Sequence, residues 1–471
     1  MGGIILLSLL VIILVMLVVM THYLRTVKNN NDEADEEGKH VETEKESILS
    51  TQNFIYTGII LTSVGILVAI YALLRGTIWE GHMMEWLNLI VRLMHITFGI
   101  AWIGASFYFV FLENALNRTK DVRDELAGNL WAVHGGGFYY LEKYKVAPQT
   151  IPKHLHWFKY EAYFTWLSGF CLLFVVYYFN ASALLIDKNV LDITPLQGIG
   201  IGVTSFIVAW ILYDILCKSP LGKKGIWFTL AGFIIAIGFA YFYSHVFTAR
   251  AAYMHFGAML GSIMVANVFF VIIPSQKAMV RSAKEGKPLN PQLGKNAGLR
   301  SLHNNYFTLP VLFVMISNHF PSTFGNEYPW LILTIITLGT AGVKHYLNLK
   351  EKGQASVWVM PVSIVILLAA AFISAPEKPG ACNNEVSFAE VNLVIQKRCI
   401  SCHSAKPTDD VYTAPPNGIM YDTPDEIFKK KDMIMQRVVV TKTMPQNNKT
   451  NITQKERDMV RCWIEQGASL K

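Results

Sequence analysis

The sequence predicts an all-α chain in two parts: a polytopic membrane helix bundle of about ten spans, then a small soluble helical domain. Two observations carry this. Of the 471 residues, 52% are hydrophobic and only 16% charged, a composition that requires several bilayer spans. Residues 377–471, by contrast, are polar and contain Cys399-Ile400-Ser401-Cys402-His403. At that spacing two thiols reach the two vinyl groups of one porphyrin and the adjoining imidazole lies under its iron.

From the N-terminus, Ile4 to Met20 is apolar, with no basic stretch before it and no small-residue cleavage site after it. It is expected to be a retained span. Asn29 to Lys45 is acidic and lacks an apolar period, as a solvated linker does. Phe54 to Leu74 is a second span, so residues 1–76 form a two-span extension with an acidic linker. Eight further spans make a membrane domain over 77–376, at roughly 85–112, 159–179, 197–216, 225–244, 248–273, 305–318, 327–343 and 356–375.

In the C-terminal domain, 377–471, a helix over 388–395 precedes the thiol motif, and Thr443-Met444-Pro445 follows it in a polar loop. A thioether is the usual second axial ligand in cytochromes c. Met444 is therefore the expected partner of His403 on the iron, with Met420 as its competitor. Thr453 and Glu456 resemble a capping box opening a last helix that carries Trp463 and Ile464. The pattern is that of a class I cytochrome c domain with one covalent haem c on Cys399 and Cys402. A zinc or redox site is the alternative use of the two thiols. Of the six cysteines, Cys171 and Cys217 fall in or at the end of apolar spans. Cys382 and Cys462 form either a disulfide or two unpaired small residues.

Haem c is attached on the outer face of the bacterial plasma membrane, so the C-terminal domain is expected in the periplasm. Counting back, loops 113–158, 217–224, 274–304 and 344–355 become cytoplasmic. They hold eighteen Lys and Arg residues, against three in 75–84, 180–196, 245–250 and 319–326. This is the positive-inside bias, and it agrees with the haem. The net charge of +7 is modest and no nucleic-acid motif accompanies it, so lipid is the expected partner of these cations.

Ionisable groups inside the bilayer mark function by default. Arg92 and His95 lie three apart on one helix, and Arg250 and His255 open another; glycines follow both histidines. Two arrangements are open: a b-type haem held between His95 and His255, or a hydrogen bond from each to a neighbouring helix. The loop Trp131-Ala132-Val133-His134-Gly135-Gly136-Gly137-Phe138-Tyr139 and the stretch His154 to Tyr163 add His156, Lys159 and Glu161. Three successive glycines expose backbone N–H groups to a flat anion; an interfacial aromatic segment is the alternative.

The strings Glu85-Trp86-Leu87-Asn88, Gly99 to Tyr108, Val133 to Tyr139, His156 to Tyr163 and Thr165 to Phe170 resemble the bacterial membrane-bound urate oxidases. In these an eight-span membrane domain is fused to a C-terminal cytochrome c. The resemblance covers roughly 82–471 and leaves the first two spans outside it. It implies oxidation of urate to 5-hydroxyisourate, a step of purine catabolism, with electrons passed to the fused haem c instead of dioxygen. A soluble or membrane cytochrome or a terminal oxidase would then be the acceptor. Urate is a planar monoanion that wants a cation, stacking and a base. Arg92, Arg250 or Lys159 could supply charge, and His134, His156 or Glu161 could accept a proton. A non-catalytic electron carrier between quinol and a soluble cytochrome is the competing function.

Overall fold

The computed structural model describes residue 73 and residues 78–470, except 120, 149, 153–154, 376–379, 410–411 and 413. The spans expected at 4–20 and 54–74 and the acidic linker lie outside the described residues.

The chain is mostly helical. In order it forms α1 (Ile78–Ala115), a hairpin of β1 (Leu126–His134) and β2 (Gly137–Tyr144), α2 (Tyr160–Leu173) and α3 (Pro195–Lys218). There follow α4 (Gly225–Ser244), α5 (Ala249–Ala266), α6 (Ile273–Lys284), α7 (Pro291–Ser317), α8 (Pro329–Glu351) and α9 (Val359–Ile373). The C-terminal segment adds α10 (Phe388–Arg398), the short α11 (Pro424–Lys429) and α12 (Lys431–Ile434), and α13 (Gln454–Glu465). Each of the eight spans expected after residue 76 falls on a helix. Among the described residues, six stretches are long and apolar enough to cross a membrane: His82–Ala115, Tyr160–Tyr178, Pro195–Lys218, Gly225–Ser244, Ala249–Lys284 and Pro329–Glu351. The helix Val359–Ile373 is shorter, and 305–318 is the second half of the longer α7.

One element departs from the all-α expectation. The glycine run closes a β-hairpin rather than forming an open anion nest. His134 pairs with Gly137, and Gly135 and Gly136 make the two-residue loop with φ of 58° and 78°, the positive values that a type I′ hairpin turn demands. The cross-strand pairs Trp131–Tyr140 and Val133–Phe138 share one face, and all four side chains are exposed.

The described chain divides into two compact units. The first comprises residues up to 179, 260–308 and 348–355. Its seam runs between α1 and α2, where Val91, Phe164, Cys171 and Val175 are buried and the Phe98 and Phe164 rings stack at 5.2 Å. Apolar area drives no association among lipid tails, so close packing and interhelical hydrogen bonds decide the fit. The Trp166 indole N–H donating to Ser262 Oγ at 2.9 Å is one such bond.

The second unit comprises 180–259, 309–347 and 356–471. There α8 and α9 approach closely: a Cβ on Gly339 would stand 2.7 Å from Leu367. The C-terminal segment has its own core, in which Phe388, Val391, Val394 and Ile395 of α10 pack with Val460 and Trp463 of α13. Both helices open with complete capping boxes, Ser387–Glu390 and Thr453–Glu456. Arg398 grips Glu456 through Nε and Nη2 at 2.9–3.2 Å. Cys382 and Cys462 are joined in a disulfide that ties the start of this segment to α13. Thr441 and Gln446 lie against the unit's own loops. The Gln446 amide donates to the Ala183 carbonyl, and a Cβ on Gly325 would meet the Thr441 carbonyl at 2.7 Å. Both contacted loops are among those expected outside.

Candidate functional site

The first unit contains a cavity of about 1330 Å³. Its wall comes from the C-terminal end of α1 (Trp102, Ser106, Glu113), from β2 (Glu142, Lys143) and from the segment around His156 and Trp157. Gln276 and Met279 of α6, Ser301, Asn304 and Tyr306 of α7, and Asn348 and Lys352 complete it. Three of the four loops expected to be cytoplasmic and basic thus supply the lining.

His156 and Glu161 meet beside this cavity. The His156 Nε2 stands 3.8 Å from Glu161 Oε1. Glu161 Oε2 is buried and makes no hydrogen bond, so the carboxylate retains an acceptor. Its position is set by the first turn of α2, where the Thr165 hydroxyl donates to the Glu161 carbonyl. Lys159 places its ammonium 4.7 Å from the Tyr160 ring centre.

The other expected site residues lie elsewhere. His134 sits exposed at the hairpin turn, roughly 20 Å of strand from the cavity rim at Lys143. Arg92 donates through Nε and Nη2 to Asn88 Oδ1 on its own helix. Arg250 belongs to the second unit and donates to Asn318 Oδ1 at 2.8 Å.

His95 is held by α2: its Nδ1 lies 3.0 Å from the Thr165 carbonyl and 3.3 Å from Ser168 Oγ. The ring fills the hollow over Gly169, where a Cβ would come within 2.7 Å of His95 Cε1. His255 is fully buried. Its Nδ1 lies 2.8 Å from the Ala251 carbonyl, and Phe247, Phe206 and Tyr243 surround the ring at 4.4–5.9 Å. The hollow at Gly257 is taken by Val314, 2.5 Å from a Cβ built there. An aromatic enclosure and a filled hollow do not fit a macrocycle against His255.

Sequence reasoning missed a buried polar chain beside the cavity. Asn267 begins a π-helical turn, Asn267–Ile272, a distortion frequent at functional sites. Its Nδ2 donates to Asn304 Oδ1 at 2.8 Å, and Arg300 Nη1 donates to Asn267 Oδ1 at 3.2 Å. Asn304 Nδ2 in turn donates to the Met264 carbonyl at 2.9 Å. The signal in the sequence was Arg300 and Asn304, one turn apart just before a short apolar span.

The C-terminal segment assembles a donor set of the kind haem c requires. Cys399 and Cys402 follow α10 as free thiols. The His403 Nδ1 lies 3.0 Å from the Ile419 carbonyl; donating there, it leaves Nε2 as the metal-binding nitrogen. Met444 packs on the same core as Ile400 and Ile419, and its loop is fixed by Arg457 Nη1 on the Met444 carbonyl at 2.8 Å. Among the described residues no three His, Cys, Asp or Glu side chains converge as a metal cage. The thiols therefore lack the extra ligands a zinc site needs. Cys399, Cys402, His403 and Met444 fit a haem c.

Fold and cavity together define a mostly helical protein whose long apolar helices are compatible with a membrane, with a wide chamber of mixed lining in its first unit. Residues 81–375 match the family model described as urate oxidase, N-terminal, and the chain belongs to that family. No curated protein and no solved structure matches it. Membership points to an oxidoreductase acting on urate.

Proposed function

We propose that the protein is a membrane-bound urate dehydrogenase. It oxidises urate to 5-hydroxyisourate and delivers the electrons to a haem c on its own C-terminal segment rather than to dioxygen. The observation that carries the reading is the union, in one chain, of a urate oxidase family region over 81–375 with the donors Cys399, Cys402, His403 and Met444.

The reaction adds water and removes two electrons and two protons: C5H4N4O3 + H2O gives C5H4N4O4 + 2 H⁺ + 2 e⁻. The cavity of the first unit is the proposed substrate chamber. Its rim sets Arg118, Lys143 and Lys352 against Glu113 and Glu142. With Arg118 and Lys143 both paired to Glu113, Lys352 is, among the described residues of the rim, the cation left to attract an anion, and Trp102 and Trp157 offer faces for a planar ring. Glu161, with an unengaged oxygen, and His156 beside it can take the protons released from urate and from the attacking water. A bound haem c supplies a one-electron acceptor, so each urate requires two transfers. The excess of Lys and Arg in the loops 113–158, 217–224, 274–304 and 344–355 supports an inner plasma membrane location with the C-terminal segment in the periplasm. A soluble or membrane cytochrome, or a terminal oxidase, then receives the electrons.

The test is anaerobic reduction of the purified holoprotein, followed by its haem absorbance. Urate is expected to reduce the haem at one urate per two haems, and His156→Ala with Glu161→Gln to abolish this while dithionite reduction stays normal. Reduction by a quinol but not by urate would replace the dehydrogenase with a non-catalytic electron carrier.

A further inference from the structure

We propose that Arg300, Asn304 and Asn305 of α7 form the clamp that recognises the alternating N–H and C=O edge of the purine, with Asn267 as the residue that positions them. This rests on the urate reading above and names the groups that would select the substrate.

The four side chains are at least nine-tenths buried, and their arrangement is ordered rather than incidental. The π-helical turn at 267–272 shifts the register of the helix that carries Asn267. Its amide then bridges two residues of α7: it accepts from Arg300 and donates to Asn304. Asn304 reaches the cavity wall. A primary amide has two N–H groups and two acceptor lone pairs. Asn304 uses one N–H on the Met264 carbonyl and one lone pair on Asn267, which leaves one donor and one acceptor for a ligand. Asn305 donates weakly to Ser106 Oγ, itself on the cavity wall, at 3.4 Å. Its Oδ1 is buried and makes no hydrogen bond. A buried acceptor without a donor costs free energy, and a ligand N–H would remove that cost.

Asn304 therefore offers a donor and an acceptor at the cavity wall, Asn305 holds an unengaged acceptor beside Ser106 of that wall, and Arg300 adds its positive charge through Asn267. Urate offers the complement, ring N–H groups alternating with carbonyl oxygens on an anion. A simple ionised carboxylate has no donor at all and would leave the Asn305 oxygen unpaired. The clamp is thus expected to choose a cyclic ureide over a plain anion of equal charge.

The experiment is equilibrium dialysis of radiolabelled urate against holoprotein held fully reduced with dithionite, in which the haem cannot accept electrons and urate persists. Wild type, Arg300→Lys, Asn304→Leu and Asn305→Ala are compared, each with intact haem absorbance and monodisperse elution. Asn305→Ala leaves the Arg300–Asn267–Asn304 chain untouched, so it tests the clamp even if the other two fail to fold. The expected result is binding by wild type and roughly tenfold or greater weakening in every folded variant. Wild-type binding with folded variants within twofold of it overturns the clamp and leaves the dehydrogenase standing. No binding by wild type overturns the dehydrogenase reading as well.

Discussion

Gly169→Ala is the substitution whose cost can be worked most directly from the packing of α2 on α1. The added Cβ would lie 2.7 Å from His95 Cε1 and 3.1 Å from Nδ1, tighter than carbon–carbon contact by most of an ångström. The ring cannot simply swing away, because Thr165 and Ser168 hold its Nδ1. Overpacking of this kind costs about 1–3 kcal/mol. Helix propensity works the other way, since alanine is favoured over glycine by about 1 kcal/mol. Gly104→Ala on α1 isolates that second contribution: a Cβ there meets nothing within 4 Å. Gly169→Ala is therefore expected to be less stable than Gly104→Ala by about 1–3 kcal/mol. The measurement is thermal unfolding in detergent followed by helical circular dichroism, in the parent and in a His95→Ala background. Removing the imidazole should erase most of the penalty, giving a large coupling in the double-mutant cycle. An equal cost of Gly169→Ala in both backgrounds would refute the reasoning.

Two further outcomes concern the C-terminal segment. Met444→Ala should lower the haem potential and open the iron to external ligands such as imidazole, whereas Met420→Ala should do neither; the reverse pattern would transfer the axial role to Met420. Replacing Cys382 and Cys462 by serine releases a closure of 80 residues in sequence, for which chain entropy gives a loss of about 4.5 kcal/mol. Denaturant midpoints and non-reducing peptide mapping check this, and free thiols at both positions in the parent protein would end the assignment.

In the C-terminal segment the helix starts were legible because their signals are local, the Thr453–Glu456 cap being a four-residue pattern. The long apolar helices were legible because length and apolarity can be read directly from the residues. The hairpin was missed although its signal was present: Trp131, Val133, Phe138 and Tyr140 alternate around two glycines that must adopt positive φ. The glycines drew attention as ligand-binding backbone, while the β-formers on either side went uncounted. The Asn267–Arg300–Asn304 chain could not be read in the same way. Asn267 lies more than thirty residues from Arg300 and Asn304 and meets them through a π-helical turn that no residue type announces. His134 was selected for its neighbours in sequence, yet the strand carries it away from the cavity that His156 lines.

The anchoring of Gln446 on the Ala183 carbonyl, two residues beyond Met444, has a kinetic meaning. On the proposed function, a haem carried on the same chain as the substrate site does not have to find its electron donor by diffusion. On the proposed route the first transfer is then a unimolecular event, with a rate constant indifferent to protein concentration and to ionic strength. Release to an external acceptor is the bimolecular step, and it alone carries the second-order dependence and the salt sensitivity of a charged encounter. Turnover would accordingly rise with acceptor until the internal transfer limits it, and dilution of the membranes would leave urate-driven haem reduction unchanged.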